Sequence, residues 1–189
     1  MQRRKFLTTS TAATVATAVA ATTLSASGTP TPSSSYDKVF TVKTGKDRFN
    51  EPILFRGVNP NLVKISGKDT GGLLSMFEYE GLAKIGPSLH MHLHQDEVFY
   101  VVEGEFLFQA GDERQTLKAG DTIFLPRNIP HTWLQLSDKG KLIYLLQPAG
   151  TLEDFFKEMK ALNHPPTFAE EQKLSREHGM ETLGPPITK

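Results

Sequence analysis

The chain has 189 residues, with 21 lysines and arginines against 21 aspartates and glutamates, so its formal net charge is zero. Residues 1–35 hold three basic residues and no acidic residue, so the remainder carries 18 basic against 21 acidic groups, a net charge of −3. That charge excludes the basic surface needed to bind nucleic acid or anionic membranes. The absence of cysteine excludes disulfides, thiol nucleophiles, iron–sulfur clusters and cysteine-ligated zinc. A metal would have to be bound by imidazole and oxygen.

Residues 1–27 have the layout of an export signal: a basic start is followed by an uncharged run rich in threonine, alanine and valine. That run is too weakly apolar for a membrane span, so no stable membrane association is expected. The RRKFL run at residues 3–7 resembles the core of twin-arginine signals, which implies export of the folded protein by the twin-arginine machinery. A general secretory signal that carries two arginines is the alternative. The predicted location is the bacterial periplasm or the extracellular medium, and residues 28–35 are predicted to be a disordered linker.

Residues 36–150 consist of short apolar runs separated by glycine- and aspartate-containing turns. Many short strands at close spacing are typical of an all-β sandwich or barrel, and no helical pattern interrupts them. The predicted strands lie at residues 38–42, 52–56, 61–66, 73–79, 89–94, 98–102, 105–109, 114–117, 122–125, 132–136 and 142–146.

Residues 151–189 are predicted to form a helical extension packed on the outside of the barrel. One helix face is marked by an apolar stripe at helical spacing, formed by Leu152, Phe155, Phe156, Met159 and Leu162. Capping boxes are predicted at Thr151 with Asp154 and at Thr167 with Glu170, so the extension should hold two short helices. An aromatic stripe of this kind is more often core than ligand pocket.

Three histidines at alternate positions carry the strongest functional signal. Side chains at i, i+2 and i+4 of a strand share one face, so His90, His92 and His94 should point the same way, with Glu97 nearby. Imidazoles and a carboxylate that converge inside a barrel suit a divalent metal. His131 begins another strand, from which it can reach the same centre. The residues alone leave open which of the clustered histidines bind the metal.

Two segments, 86–104 and 120–135, resemble the two motifs of the cupin family. The residues that carry the resemblance are His90, His92, Glu97, Gly104, Gly120, Pro126 and His131. The second motif departs from the family pattern at Asn128, where the family has glycine, and at Gln135, where it has asparagine. Asparagine tolerates a left-handed backbone, so the turn at Asn128 is expected to be kept.

The resemblance implies a double-stranded β-helix, the jelly-roll cupin barrel, that binds one metal through His90, His92, Glu97 and His131. His94 would then lie beside the metal ligands, line the pocket or serve as an alternate ligand. The metal is expected to be iron, manganese, nickel or cobalt rather than copper or zinc, because folding before export lets the cytoplasm select it. The alternative is a barrel that has lost its metal.

The pocket is expected to be aromatic and to accept a flat organic molecule. The inward residues expected to line it are Phe77, Phe99, Phe108, Trp133 and Gln135, with core packing as the alternative for each aromatic residue. The tail, at residues 148–156 and 177–186, resembles the extension of bacterial quercetin 2,3-dioxygenase-like proteins.

This second resemblance implies a metal-dependent dioxygenase for a small aromatic or flavonol-like substrate, with Glu97 as both ligand and catalytic base. A metal-dependent isomerase or lyase, or a non-catalytic periplasmic binding protein, are the alternatives.

His164 and His178 are expected to be solvated. A homodimer formed through sheet edges is one expectation, and cover of those edges by the tail helices is the other.

Overall fold

A computed structural model describes residues 39–189 of the chain. The predicted export signal and linker, at residues 1–35, lie outside the described residues and stay predictions. Neither helix in the described part of the chain has the length and apolarity needed to span a membrane.

The described residues form strands and two short helices, in the order expected from the apolar runs. The strands are β1 (Ile53–Phe55), β2 (Asn59–Ile65), β3 (Ser75–Gly81), β4 (Leu89–His92), β5 (Asp96–Glu103), β6 (Glu105–Ala110), β7 (Glu113–Lys118), β8 (Thr122–Leu125), β9 (His131–Gln135), β10 (Gly140–Gln147) and β11 (Met180–Gly184). The helices are α1 (Leu152–Ala161) and α2 (Phe168–Glu177).

Two antiparallel sheets enclose the core. One sheet has the order β1-β2-β3-β10-β5-β8 and the other β11-β4-β9-β6-β7. Alternation along the strands creates the core, as in β10, where Leu142, Tyr144 and Leu146 are buried and the residues between them are partly exposed. Each such side chain contributes about 1.5–3 kcal/mol by its burial. The all-β jelly-roll prediction is confirmed.

Two predictions about strands were wrong. The run 38–42 forms no strand over its described residues, 39–42, and Val39 is fully exposed. Phe40 instead packs under the guanidinium of Arg48, with 4.1 Å between Arg48 Cζ and the ring centroid. The tail, predicted to be helical, also contains β11, which pairs antiparallel with β4. Its alternation of buried Met180 and Thr182 with more exposed neighbours is the period-two pattern of a strand.

The two predicted helices are present, and their caps differ. Thr167 accepts a hydrogen bond from the Glu170 backbone N–H while the Glu170 side chain accepts one from the Thr167 N–H, so this capping box is confirmed. Thr151 caps α1 without a side-chain hydrogen bond, so the first predicted box was wrong. The Thr151 hydroxyl pairs with Nδ1 of His178 at 3.0 Å instead. This bond joins the start of α1 to the end of α2.

Candidate metal centre

Three strands bring together the four residues predicted as ligands. His90 and His92 lie on β4, Glu97 on β5 and His131 on β9, and one ligand atom from each lies within 4.8 Å of all the others. Residue His90 pairs directly with His131 in the sheet register. Glu97 Oε2 lies 3.1 Å from His131 Nε2 and 3.6 Å from His92 Nε2. The spacing suits one ion bound between the four side chains.

Backbone carbonyls orient two of the imidazoles. His90 Nδ1 lies 2.8 Å from the Ser88 carbonyl oxygen, and His131 Nδ1 lies 2.8 Å from the Ile129 carbonyl oxygen. A carbonyl only accepts hydrogen bonds, so both Nδ1 atoms must donate. In a neutral ring the lone pair then resides on Nε2. This is the usual support for a metal-ligating histidine.

The centre also shows a deficit of positive charge that a metal would correct. A neutral His131 has already used its one N–H on the Ile129 carbonyl, so its Nε2 and the Glu97 carboxylate present two acceptors to each other at 3.1 Å. Either a second proton on the ring or a cation between the two atoms relieves that repulsion. A divalent metal satisfies all four groups at once, so the residues fit the ion that the cupin resemblance implies.

Electrostatics favour the metal-binding protonation states. Burial alone would raise the pKa of Glu97, but the imidazoles of His131 and His92, when their Nε2 atoms carry protons, outweigh burial and hold that pKa well below its usual range. Burial lowers the pKa of His90 to about 3, with further lowering from His131 and His92. Glu97 is therefore ionised and His90 neutral at physiological pH. Both are in the form that binds metal.

A cavity of about 730 Å³ opens from this centre towards the surface. His90, His92 and Glu97 line its inner end. Most of the remaining wall is aromatic or otherwise apolar, and includes Phe55, Tyr79, Phe99, Trp133, Tyr144, Phe155, Phe156 and Met159. Such a wall favours a flat apolar ligand.

The first tail helix forms part of this cavity, contrary to the expected packing outside the barrel. Phe155, Phe156 and Met159 of α1 line the cavity together with His90, His92 and Glu97. Phe156 also meets Phe77 edge to face, with ring centroids 6.0 Å apart. The apolar face of α1 thus belongs to both the core and the cavity wall. Helical periodicity predicts that this face is buried, but not that it borders a cavity.

The predicted pocket residues divide between the cavity and the core. Phe99 and Trp133 line the cavity. Phe77 and Phe108 do not, because both are fully buried among other aromatic rings. Gln135 is also fully buried, and its amide nitrogen Nε2 donates to the carbonyls of Gly81 and Ser137 at 3.2 and 3.0 Å. Gln135 therefore stabilises the barrel end and takes no part in the cavity wall.

His94 lies outside the metal centre. Strand β4 ends at His92, and residues 93 and 94 form a bend, so the alternation that would align three imidazoles fails after the second. His94 is exposed as a result. The Asn128 N–H donates to the His92 carbonyl at 2.8 Å, and Asn128 has φ 64°, which confirms the left-handed turn expected of asparagine there.

The two tail histidines differ from each other. His164 is exposed, as predicted, and its Nε2 lies 3.8 Å from Glu170 Oε1. It is also one of the residues that line the cavity. His178 is buried, so its predicted solvation was wrong. Its Nδ1 bonds to Thr151 and its ring meets Phe155 edge to face at 6.0 Å. The helix-to-helix packing that buries it has no local sequence signature.

Sequence reasoning missed Arg56, Asn61 and Tyr144, which all line the cavity. Arg56 donates from Nε to the Gly86 carbonyl at 2.9 Å and from Nη2 to Ser88 Oγ at 3.0 Å. The same nitrogen lies 3.6 Å from Glu171 Oε1, so α2 is tied to the cavity wall by an ion pair. The guanidinium charge is thereby balanced within the protein. No short-range pattern marked these three residues, since each lies far in sequence from its partners.

Alkaline pH is expected to destabilise the protein through two cavity tyrosines. Burial raises the pKa of Tyr79 and of Tyr144 well above the usual value, despite hydrogen bonds with Asn59 and Asn61 that lower it. Above about pH 10 the unfolded chain loses these protons and the folded chain keeps them, so stability falls as pH rises, by up to about 1.4 kcal/mol per pH unit for each tyrosine.

Urea unfolding at pH 8 to 11 measures this slope. Tyr144→Phe should flatten it relative to the unsubstituted chain. An equal slope in both proteins would contradict the assignment of the alkaline loss to Tyr144.

Comparison with known proteins agrees with the fold. Residues 76–146 match the family model of the cupin domain (Cupin_2). This range contains all four residues of the candidate centre, which lie between residues 90 and 131. The matched range includes the strands that carry these four residues.

The solved structures similar to this chain include KdgF from Halomonas sp., with a TM-score of 0.51 and 19% identity over 59% of this chain and 94% of that one. An RmlC-like cupin from Shewanella frigidimarina NCIMB 400 has a TM-score of 0.48 and 24% identity over 62% of this chain and 99% of that one. At such identity the likeness to KdgF shows the fold alone.

An uncharacterised protein of Methanocaldococcus jannaschii, MJ1618, is 35% identical over 54 residues, which is 28% of this chain. The matched part spans 43% of that protein, so less than half of the curated relative is covered.

Proposed function

We propose that this protein is an exported, mononuclear metal-dependent dioxygenase that acts on a small aromatic or flavonol-like substrate. The observation that carries the proposal is the cavity of about 730 Å³, which joins the four-residue centre to a wall of aromatic side chains. A flat ring fits such a wall, and an oxygen of the same molecule can then reach the centre.

A divalent metal bound by the three histidines and Glu97 would supply a Lewis acid with coordination positions left open for an oxygen ligand. We expect iron, manganese, nickel or cobalt rather than copper or zinc, because the proposed export of folded protein lets the metal enter in the cytoplasm. The ligand types alone do not select among these ions.

Glu97 is the proposed proton acceptor. Its contacts with His131 and His92 both involve Oε2, which leaves Oε1 as the oxygen for a substrate hydroxyl. A carboxylate with a depressed pKa is a weak base, so this role needs the imidazoles to release Glu97. With a metal bound, the Nε2 atoms would be ligands and would no longer donate to Glu97.

The aromatic wall positions the substrate and excludes water. Phe99 stacks on Tyr144 with ring centroids 5.1 Å apart, and Trp133 stacks on Phe55 at 5.8 Å. These contacts fix the rings that face the ligand. A bound substrate that displaces water from this apolar cavity would strengthen the electrostatic interactions within it.

Oxygen consumption tests the proposal. Protein loaded separately with iron, manganese, nickel and cobalt is mixed with a panel of flavonols and catechols in an oxygen electrode, with products analysed by mass spectrometry. We expect uptake of one dioxygen for each substrate cleaved. His131→Ala should abolish uptake, and His94→Ala, which changes an exposed histidine of the same run, should retain it.

Two other outcomes would contradict the dioxygenase proposal. Product without oxygen uptake would indicate an isomerase or lyase that uses the same centre. Saturable ligand binding without any product would indicate a non-catalytic binding protein.

Export and assembly are separate proposals. Export by the twin-arginine machinery predicts that replacing both Arg3 and Arg4 by lysine keeps the protein inside the cell, as cell fractionation would show. A homodimer remains a prediction, which light scattering of the purified protein can check.

A further inference from the structure

Asn61 places an amide with an unused donor at the cavity. Along β2, Asn59, Asn61 and Val63 are buried at alternate positions and so share the face that looks into the barrel. Asn61 is only 2% exposed and lines the cavity. Its Oδ1 accepts a hydrogen bond of 2.9 Å from the Tyr144 hydroxyl, while its Nδ2 has no partner.

The neighbouring Asn59, by contrast, has hydrogen-bond partners for both ends of its amide. Asn59 Nδ2 donates to the Tyr79 hydroxyl and to the Ala83 carbonyl, and its Oδ1 accepts from the backbone N–H groups of Leu82 and Ala83. Asn59 does not line the cavity. One asparagine of β2 is therefore fully used in the fold, and the other belongs to the cavity wall and has a buried amide nitrogen without a partner.

Tyr144 fixes which end of the Asn61 amide is free. Its ring is held between Phe77 and Phe99, with centroids 4.8 and 5.1 Å away. The Tyr144 hydroxyl, so held, donates to Asn61 Oδ1 at 2.9 Å. The amide N–H₂ is then the end without a partner.

Other unpartnered polar atoms in the described residues do not share this position. They are Ser75 Oγ, Gln95 Oε1 and His178 Nε2, the last of which lies 3.3 Å from Glu158 Oε1. None of these three residues lines the cavity. A buried donor without a partner destabilises a fold, so its presence in a ligand cavity points to an acceptor supplied by the ligand.

We propose that Asn61 is a specificity-determining residue whose Nδ2 donates a hydrogen bond to a carbonyl or ether oxygen on the ring system of an aromatic ligand. The inference rests on the proposed function only for the kind of molecule in the cavity. Sites that bind an oxygen through a buried amide discriminate against analogues that lack that oxygen, since the donor is then left unpaired. Aromatic molecules without an acceptor on the ring should therefore bind poorly.

A pair of probes that differ by one carbonyl tests this. The metal-loaded protein is titrated with 4-chromanone and with chroman, and occupancy is followed by the indole N–H resonance of Trp133, which is the chain's single tryptophan and lines the cavity. The unsubstituted protein should prefer 4-chromanone. Asn61→Leu should reduce that preference by about threefold to tenfold, the effect of one lost hydrogen bond.

Ser75→Ala is the matched control, because it removes another unpartnered buried atom that lies away from the cavity. It should leave the preference unchanged. The double variant Asn61→Leu, Tyr144→Phe removes both partners of the hydrogen bond, so it should fold with an unchanged or higher melting temperature and show the same lost preference. Metal content should stay unchanged in all three variants.

An unchanged preference in Asn61→Leu and in the double variant would overturn the proposal. So would failure of 4-chromanone to bind the unsubstituted protein, or a lower melting temperature of the double variant, which would show that the amide serves the fold. The measurement needs no oxygen and no turnover. The role of Asn61 can therefore be confirmed in a protein that takes up no oxygen. Equally, a protein that does take up oxygen can fail the test of Asn61.

Discussion

Replacing His131 by alanine is expected to lower the affinity for a divalent metal by more than about 100-fold, because loss of a supporting hydrogen bond alone costs a metal site about 10- to 100-fold. His131 is 1% exposed, and its Nε2 lies 3.1 Å from Glu97 Oε2 at the middle of the cluster. Removing it deletes one of three nitrogen ligands. Elemental analysis and calorimetric titration of the purified variant measure the effect.

His94→Ala is the matched control for this experiment. It changes a histidine of the same sequence run that is exposed and lies beyond the end of β4. Metal content should match that of the unsubstituted chain. Full metal content in His131→Ala, or its loss in His94→Ala, would contradict the assignment of the ligands.

Replacing Gly86 by alanine is expected to destabilise the fold by about 3 kcal/mol or more, the upper end of the range for overpacked sites. A Cβ at Gly86 would overlap the backbone carbonyl oxygen of Trp133, and a backbone atom cannot move aside as a flexible side chain can. The Gly86 carbonyl also accepts a hydrogen bond from Arg56 at 2.9 Å. Chemical denaturation with urea measures the change in the free energy of unfolding.

Gly111→Ala is the comparison for this prediction. Gly111 has φ 58°, and nothing lies within 4 Å of the Cβ that alanine would add. Alanine there carries only the cost of a left-handed backbone, about 1–2 kcal/mol. Equal effects of the two substitutions would contradict the packing argument for Gly86.

The cluster of His90, His92, Glu97 and His131 could be predicted from the sequence because strand geometry is local. His90 and His92 share a face through the period of two, and the turn at Asn128 follows from the tolerance of asparagine for positive φ. His94 was misplaced because alternation holds only while the strand continues. The end of β4 at His92 depends on its pairing with β11, which begins at Met180, and no local pattern around His94 reveals that partner.

The cavity could not be predicted in the same way. Its wall joins Asn61, Tyr144 and Phe155, which lie far apart in the chain and meet only through tertiary packing. An apolar stripe such as that of α1 predicts burial but not whether the buried face meets core or cavity. The aromatic character of the pocket was predicted, but only Phe99 and Trp133 of the named aromatic residues line it.

The most direct test of the metal centre is an anomalous difference map from crystals of the metal-loaded protein, recorded at the absorption edge of the bound metal. We predict one peak per chain within about 2.0–2.2 Å of the Nε2 atoms of His90, His92 and His131 and of a Glu97 oxygen. A peak at any other position, or a peak at this position with one of these four side chains turned away, would contradict the proposed centre.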